Sequence, residues 1–317
     1  MTSEKEMLQR LRSLALSRRD LLRAAAAAAL TALLPASGRA AAAPMRMRTV
    51  PTTGERIPVM GLGTSDAFET GADAASAPLR EVLARFYALG GRLIDTSPTY
   101  GNAEAVVGRL AAELELTDRL FLATKVHEVG RQAGIDQMEA SRRRLGRRRL
   151  DLIQVHNLVD VDTQLATLRR WKEQGLVRYV GITHYRVAAF DALERLMRTV
   201  PLDFVQFNYS VATPDAEQHL LPLARERGIA VLVNRAFEDG YLFRVTRGRT
   251  LPPWAADFDC TSWAQFFLKY VLANEAVTCV IPATSKPGHL VDNMGAGVGR
   301  LPDAATCARM RAFIQSV

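Results

Sequence analysis

The 317-residue chain contains three cysteines, and their placement excludes two kinds of site. Cys260, Cys279 and Cys307 are an odd number, and no two of them are spaced as Cys-x-x-Cys. Neither a zinc site nor a disulfide scaffold is expected, and we predict no metal-binding residues. Cys279 falls inside the apolar run 278–281, so we expect it to be a small buried hydrophobic residue.

An apolar run long enough for a membrane span is also lacking near the amino terminus. The run 24–34 has 11 residues, whereas a transmembrane helix needs ~20, so no permanent membrane anchor is expected. It follows Arg18-Arg19 and precedes the small residues 40–43, which is the pattern of a twin-arginine (Tat) signal peptide. We therefore predict a signal peptide over residues 1–43, recognition by the Tat export machinery, and a periplasmic or secreted protein. A mitochondrial transit peptide is the alternative, and the acidic residues Glu4, Glu6 and Asp20 count against it.

Positive charge is in excess, but its distribution does not favour nucleic-acid binding. The formal net charge is +8, and residues 1–44, with seven Lys and Arg and three acidic residues, contribute half of it. The dense basic run at 142–144 and 147–149 lies where a helix is expected to end before a strand, a common solvated position for cations. No aromatic residues alternate with these arginines, so nucleic acid is not an expected partner.

A Gly-x-Gly-x-x-Gly motif after a strand is missing as well, so a Rossmann domain is not expected. Instead, after Pro44 short β-rich runs alternate with amphipathic segments of helical length. These runs end near Thr64, Ser97, Val126, Asn157, His184, Tyr209, Ala236 and Thr284. Eight such repeats predict an α/β fold, a (β/α)8 TIM barrel over residues 44–317. Residues 45–58 predict an amino-terminal β-hairpin, and residues 302–317 predict an extra carboxyl-terminal helix.

Four polar residues stand where successive apolar runs stop: Asp95, Tyr100, Lys125 and His156. Because the carboxyl ends of parallel strands gather on one face of the sheet, we expect these residues to form one site. The Lys125 cation would make the Tyr100 phenol a usable acid, and Asp95 would neutralise the buried ammonium. With His156 as a further hydrogen-bond donor, the set suits protonation of a carbonyl oxygen while a hydride from a cofactor reaches its carbon.

The sequence around these residues resembles that of the aldo-keto reductases. Residues 95–101, Asp-Thr-Ser-Pro-Thr-Tyr-Gly, are similar to that family's Asp-Thr-Ala-x-x-Tyr-Gly signature, and Ala123-Thr124-Lys125 and Gln154-Val155-His156-Asn157 follow in its order and spacing. The resemblance implies that Asp95, Tyr100, Lys125 and His156 form the catalytic tetrad, with Tyr100 as general acid and base. It also implies NAD(P)H-dependent reduction of a small carbonyl substrate, an aldehyde or ketone, to an alcohol.

The resemblance further implies where the nicotinamide dinucleotide binds. Thr183, His184 and Gln206 occupy the positions that hold the nicotinamide, and residues 281–287 are similar to the adenosine-phosphate segment, where helix amino-terminal amides favour a phosphate. The candidate cofactor-binding residues are Gly63, Thr64, Thr183, His184, Gln206, Asn234, Arg235, Phe237, Thr284, Ser285, Lys286, His289, Asp292 and Asn293.

Three positions depart from the family pattern. Ala283 and His289 stand where basic residues usually bind the 2′-phosphate, and Asn234 replaces an aromatic residue that often stacks on the nicotinamide. Arg235 and Phe237 are candidate substitutes for that aromatic residue. The expected cofactor is NADP(H) or NAD(H), with NADP(H) favoured because Lys286 or His289 can supply the missing cation.

Two functions therefore fit the sequence. The first is an exported NAD(P)H-dependent oxidoreductase, which the intact tetrad favours. The alternative is an exported nucleotide-binding or sensing protein on the same barrel with little or no turnover, which the changes at Ala283, His289 and Asn234 favour.

The stretch 238–261 lacks clear periodicity and is expected to be a substrate or cofactor loop. Its aromatic residues Tyr241, Phe243 and Trp254 either line an apolar pocket or pack the loop against the barrel.

Overall fold

The structure, a computed structural model, describes residues 44–69 and 76–317. The predicted signal peptide at residues 1–43 therefore lies outside the described residues. Among the residues that are described, no helix combines the length and the apolar character needed to cross a membrane.

A small antiparallel hairpin begins the described chain, as predicted. Its strands are β1 (Met47–Thr49) and β2 (Arg56–Pro58), with Met47 opposite Pro58. The turn between them contacts the barrel interior, because the Tyr179 hydroxyl donates to Glu55 Oε2 at 2.5 Å and lies 2.7 Å from Thr53 Oγ1. The hairpin therefore covers one end of the barrel.

Parallel strands built from short buried apolar runs form the barrel. Their order in the sheet follows the chain, and parallel bridges from Met60 to Val280 and from Gly63 to Ala283 join the first strand to the last. The predicted (β/α)8 barrel is therefore confirmed. The eight strands of this sheet are β3 (Leu62–Gly63), β4 (Leu93–Asp95), β5 (Phe121–Val126), β6 (Leu150–His156), β7 (Val177–Thr183), β8 (Phe204–Asn208), β9 (Ala230–Asn234) and β10 (Val277–Val280).

Helices follow the barrel strands along the chain. They are α1 (Ser76–Ala88), α2 (Ala103–Glu113), α3 (Arg131–Arg144), α4 (Val161–Glu173), α5 (Phe190–Thr199), α6 (Leu220–Arg227), α7 (Tyr241–Val245), α8 (Trp263–Ala273), α9 (Pro287–Gly295) and α10 (Ala304–Gln315). Helix α10 is the predicted carboxyl-terminal addition. The basic run begins at the end of α3 and stops before β6, as its position in the sequence indicated.

Strands β9 and β10 end earlier than their apolar pattern predicts. Strand β10 ends at Val280 rather than near Thr284, since Pro282 has no N–H to pair with a neighbouring strand. Strand β9 ends at Asn234 rather than near Ala236, since Arg235 adopts a left-handed φ of 52° that breaks the extended backbone. The residues that follow both strands line a cleft at the mouth of the barrel.

The segment 238–261 has more regular structure than its sequence indicates. It contains α7 and a 3-10 helix at Pro253–Phe258. Trp254 packs the loop down, with its ring 5.7 Å from that of Phe266, whereas Phe243 lines the cleft. Tyr241 is 47% exposed. Both predicted roles of the loop aromatics are therefore found: Trp254 packs the loop against the barrel, and Phe243 lines the pocket.

Apolar side chains fill the barrel below its mouth. Phe121, Tyr179 and Phe204 lie together in the interior, with ring centroids 5.3 to 5.9 Å apart. Cys279 is fully buried in the same cluster, as predicted. This filled interior leaves the carboxyl ends of the strands as the place where polar side chains gather.

Candidate active site

The four residues predicted as a catalytic tetrad meet at the carboxyl ends of three neighbouring strands. Asp95 is the last residue of β4, Lys125 lies in β5, His156 is the last residue of β6, and Tyr100 lies in the loop after β4. Lys125 Nζ donates to Asp95 Oδ2 at 2.6 Å and lies 4.7 Å from the centre of the Tyr100 ring. The Tyr100 and His156 rings are 5.9 Å apart and nearly perpendicular, at 85°. The structure therefore brings all four side chains together.

Lys125 is held as a buried ammonium ion. Its side chain is 1% exposed, and Nζ also donates to the carbonyl oxygen of Thr96 at 2.7 Å. Burial opposes the charge, but the Asp95 carboxylate and the Tyr100 side chain outweigh it, so the pKa of Lys125 is raised above its ordinary value. A permanent cation therefore lies beside the Tyr100 ring.

His156 is held as a neutral imidazole. Burial is the largest cause and the nearby Lys125 ammonium the next, and together with neighbouring histidines they lower the pKa of His156 from 6.5 to about 3. Its Nδ1 lies 3.3 Å from Ser97 Oγ and 3.5 Å from Thr99 Oγ1. A neutral imidazole carries one N–H and one acceptor nitrogen, so His156 can donate a hydrogen bond without carrying charge.

A chain of side-chain amides extends from Asp95 across the barrel mouth. Gln154 and Gln206 donate to Asp95 Oδ1 at 3.1 and 2.9 Å, and Gln206 also donates to Gln154 Oε1 at 3.2 Å. Asn234 donates to Gln206 Oε1 at 3.1 Å. Gly181 lies beside Gln154 in the sheet register, and a side chain there would come within 3.2 Å of Gln154 Cγ. Gln154 was not among the predicted site residues, although it is a polar residue inside an apolar strand and begins the segment 154–157 that resembles the family.

A cleft of about 780 Å³ opens at the barrel mouth, and Asp95, Tyr100 and His156 lie in its wall. Most of the residues predicted to bind a cofactor line it. They are Gly63, Thr64, Thr183, Gln206, Asn234, Arg235, Phe237, Thr284, Ser285, Lys286 and His289. Lys125 does not line the cleft, since it is buried behind Asp95 and Tyr100.

Three predicted cofactor residues lie outside the cleft lining. His184 stacks on Tyr185, with ring centroids 5.6 Å apart, and its Nδ1 accepts from the Arg186 N–H. Asp292 accepts a hydrogen bond from Gln265 Nε2 at 2.9 Å, and Asn293 is buried in α9. Conversely, Asp66, Asn157 and Tyr185 line the cleft, although none of the three is among the predicted cofactor-binding residues. Loop residues of this kind carry no periodic signal.

The cleft holds polar atoms that the protein leaves without partners. Among the described residues, Asn157 Oδ1, Asn234 Oδ1 and Arg235 Nε are buried and make no hydrogen bond, and all three side chains belong to the cleft lining. A carboxamide offers two N–H donors and one acceptor, which suits these groups. At the other end, α9 begins at Pro287, and the unpaired first-turn amides of a helix favour a phosphate. The residues present therefore fit a nicotinamide dinucleotide. No group of three or more potential metal ligands occurs in the described part of the chain.

Comparison with known proteins gives one family. The model of the aldo/keto reductase family matches residues 59–313. An aldo-keto reductase of Bacillus subtilis, YhdN, is 28% identical over 156 residues, which cover 44% of this chain and 46% of that protein, so the match spans about half of the relative's length. An uncharacterised oxidoreductase of Schizosaccharomyces pombe is 29% identical over 228 residues, covering 68% of this chain and 72% of the relative. The solved structure of a Klebsiella pneumoniae aldo-keto reductase in complex with NADPH has a TM-score of 0.70 at 20% identity and covers 86% of this chain and 95% of that one. Because the family model covers most of the barrel, the chain belongs to the aldo/keto reductase family.

Proposed function

We propose that the protein catalyses reversible, NAD(P)H-dependent reduction of an aldehyde or ketone to an alcohol, with Tyr100 as general acid and base. The observation that supports this most directly is the Lys125 ammonium, bound to Asp95 at 2.6 Å and lying 4.7 Å from the centre of the Tyr100 ring at the wall of an open cleft. A fixed cation beside a phenol stabilises the phenolate that forms when the proton leaves.

Each side chain of the tetrad has a distinct part in this reaction. The Tyr100 hydroxyl gives its proton to the carbonyl oxygen, and the positive charge of Lys125 stabilises the phenolate that remains. His156, neutral because its pKa is about 3, donates a hydrogen bond to the same oxygen and orients it. Asp95 keeps Lys125 charged and in place. The reduced nicotinamide, when bound, supplies the hydride to the carbonyl carbon.

The cofactor we propose is NADP(H). Aldo-keto reductases of Klebsiella pneumoniae and Bombyx mori with the same fold were solved with NADPH and NADP. In this chain, Lys286 and His289 lie at the start of α9 and line the cleft, where a cation can pair with a 2′-phosphate. Titrating the protein with NADPH and NADH, and following the change in cofactor fluorescence, measures the preference. A lower dissociation constant for NADH than for NADPH would reject NADP(H) as the preferred cofactor.

The catalytic proposal is tested by Tyr100→Phe, which removes one hydroxyl. We expect carbonyl reduction across a panel of aldehydes to fall by ~100-fold to 10,000-fold, while NADPH still binds. Tyr87→Phe is the matched control, since Tyr87 lies in α1 against Arg92 and outside the cleft lining. An unchanged rate in Tyr100→Phe would reject Tyr100 as the acid. Binding of NADPH by the wild type with no turnover on the panel would favour a nucleotide-binding or sensing role.

We also propose that residues 1–43 direct export through the Tat pathway to the periplasm or beyond. The support is the Arg18-Arg19 pair, the apolar run 24–34 and the small residues 40–43. Fractionation of cells that express the full chain tests this. The variant Arg18→Lys with Arg19→Lys is expected to stay in the cytoplasm, whereas Arg10→Lys with Arg12→Lys, which keeps the pair, is expected to behave like the wild type. If the two double variants are divided between cytoplasm and periplasm in the same proportions, residues 1–43 do not act as a twin-arginine export signal.

A further inference from the structure

Ser97 lies in the loop after β4, and its hydroxyl contacts the ring of His156. Ser97 is fully buried, and its Oγ lies 3.3 Å from His156 Nδ1. We propose that Ser97 is a positioning residue: its hydroxyl donates to His156 Nδ1 and thereby places the single imidazole proton on Nε2, the nitrogen that meets the substrate carbonyl. This inference rests on the proposed function, in which neutral His156 donates a hydrogen bond to the carbonyl oxygen.

The two ring nitrogens of His156 have different surroundings. Nδ1 lies 3.3 Å from the Ser97 hydroxyl oxygen and 3.5 Å from that of Thr99, and neither of these residues lines the cleft. His156 itself does line the cleft, so Nε2 is the nitrogen available to a carbonyl oxygen there. A carbonyl oxygen accepts hydrogen bonds and cannot donate them, so His156 binds it only when Nε2 carries the proton.

The Ser97 hydroxyl is held in place by the residues that follow it. The backbone N–H of Thr99 donates to Ser97 Oγ at 3.2 Å, which is the turn that serine forms with the residue two positions later. Pro98 stands between them and restricts the backbone. One lone pair of Ser97 Oγ is therefore occupied, and the bond it accepts polarises the Ser97 O–H and makes it a stronger donor.

Two acceptors lie near the Ser97 O–H, namely Thr99 Oγ1 at 2.9 Å and His156 Nδ1 at 3.3 Å. Thr99 is exposed, so water can satisfy its hydroxyl, whereas His156 is buried and an unsatisfied Nδ1 would be costly. Donation from Ser97 to Nδ1 therefore leaves every group with a partner. With the proton on Nδ1 instead, Nε2 would present a lone pair to the carbonyl oxygen, and the two would repel each other.

The fold does not require a hydroxyl at position 97. Alanine stands there in the aldo-keto reductase signature that residues 95–101 resemble. Ser97→Ala therefore removes the proposed donor with little change in packing. An effect of this substitution on His156 can be separated from an effect on the barrel.

Nuclear magnetic resonance measures directly which ring nitrogen carries the proton. A long-range proton–nitrogen spectrum of the full-length protein with isotope-labelled histidine distinguishes the two neutral forms, because protonated and unprotonated ring nitrogens resonate far apart. The chain has five histidines, and the signals that are missing from His156→Asn identify those of His156. At neutral pH we expect the proton on Nε2 in the wild type and a mixture of the Nε2–H and Nδ1–H forms in Ser97→Ala.

The rate of aldehyde reduction should change with the position of the proton. We expect kcat of Ser97→Ala to fall about 3-fold to 10-fold, as loss of one hydrogen bond predicts, while the NADPH dissociation constant stays near that of the wild type. Ser97→Thr keeps the hydroxyl and adds a methyl group. If Ser97 only filled space, alanine would be tolerated better than threonine. We expect the reverse order, with Ser97→Thr closer to the wild type in kcat and with its His156 proton on Nε2.

Two further variants are controls. Ser141→Ala removes another fully buried serine hydroxyl, in α3, whose Oγ makes no hydrogen bond within the described residues. We expect it to leave kcat and the His156 signals unchanged. Thr99→Val removes the second hydroxyl near Nδ1, and because Ser97 still donates, the His156 proton should remain on Nε2.

Two spectra would overturn the inference. One shows the proton on Nδ1 in the wild type, and the other shows only the Nε2–H form in Ser97→Ala. In either case the proposed function stands as long as the wild type reduces the aldehyde panel. A wild type that has the expected Nε2–H form but reduces no carbonyl would overturn the proposed function, and the role of Ser97 would then be limited to a hydrogen bond with His156.

Discussion

Lys125 Nζ and Asp95 Oδ2 lie 2.6 Å apart inside the barrel mouth, with their side chains only 1% and 4% exposed. The carboxylate is not isolated, because its other oxygen accepts hydrogen bonds from Gln154 and Gln206. Taking both charges out of water is unfavourable, and this geometry compensates by pairing the charges and filling the remaining acceptor positions. The pair therefore serves the fold and the proposed chemistry through the same contacts.

Asp95→Asn removes the counter-charge and leaves the Lys125 ammonium buried alone. We expect the free energy of unfolding to fall by ~3–5 kcal/mol, the usual cost of breaking a buried pair from one side. Urea denaturation at neutral pH measures the change. Glu194→Gln is the control, since it breaks the surface pair with Arg198, whose side chain is 53% exposed, and should cost less than ~1 kcal/mol. If both substitutions lower the free energy of unfolding by the same small amount, the buried pair contributes no more to stability than the surface pair.

His156 makes stability depend on pH. Its pKa is about 3 in the folded protein, against 6.5 for an unperturbed histidine. Above about pH 6.5 the imidazole is neutral in both states. As the pH falls from 6.5 toward 3, the unfolded chain binds a proton that the folded protein does not, so stability is lost at up to ~1.4 kcal/mol per pH unit.

The comparison of wild type with His156→Asn isolates this contribution. Unfolding free energies measured between pH 7 and pH 4 should decline less steeply in the variant, because asparagine does not titrate. Parallel declines in the two proteins would mean that His156 titrates normally in the folded state. A kcat/KM profile of the wild type should likewise show no ionisation of His156 near pH 6.5.

Gln154 positions Asp95 and, through it, Lys125. Gln154→Leu preserves the volume but removes one donor from Asp95 Oδ1 and the acceptor that Gln206 Nε2 uses. We expect unfolding free energy to fall by ~1–3 kcal/mol, since buried polar groups lose their partners. We also expect kcat to fall while the NADPH dissociation constant stays near that of the wild type. Gln132→Leu, which removes an exposed bond to Asp136, is the control. A normal kcat in Gln154→Leu would limit this residue to a structural role.

The sequence predicted that Asp95, Tyr100, Lys125 and His156 lie together because each stands at or shortly after the end of an apolar run, and the family resemblance supplied their roles. A buried apolar run ends, a polar residue appears, and parallel strands bring such ends to one face. The role of Gln154 could not be predicted in this way, because its contact with Asp95 depends on the register of β4, β5 and β6 around the barrel. The register between neighbouring strands follows from the packing of whole strands, and it cannot be predicted from a single sequence.

Gln206 and Arg235 show the same limit. Gln206 was predicted from the family resemblance as a cofactor ligand, and the structure shows that its amide already bonds to Asp95, Gln154 and Asn234. The left-handed backbone at Arg235, which ends β9 early, has no sequence signal because arginine rarely adopts that conformation. The fold and the grouping of the four polar side chains were therefore predictable from the sequence, whereas the hydrogen-bond partners and the loop geometry required the coordinates.

Gly181 provides the space that the amide network needs. A β-carbon at this position would lie 2.7 Å from the Phe204 carbonyl oxygen and 3.2 Å from Gln154 Cγ. The first contact is with the backbone of the neighbouring strand, which cannot move without disturbing the sheet, so Gly181→Ala should destabilise the protein by ~1–3 kcal/mol. Gly288→Ala is the control, because nothing lies within 4 Å of its β-carbon position. Thermal unfolding measures the melting temperatures of both variants. Equal melting temperatures would show that the strands around Gly181 shift to accommodate the added methyl group without loss of stability.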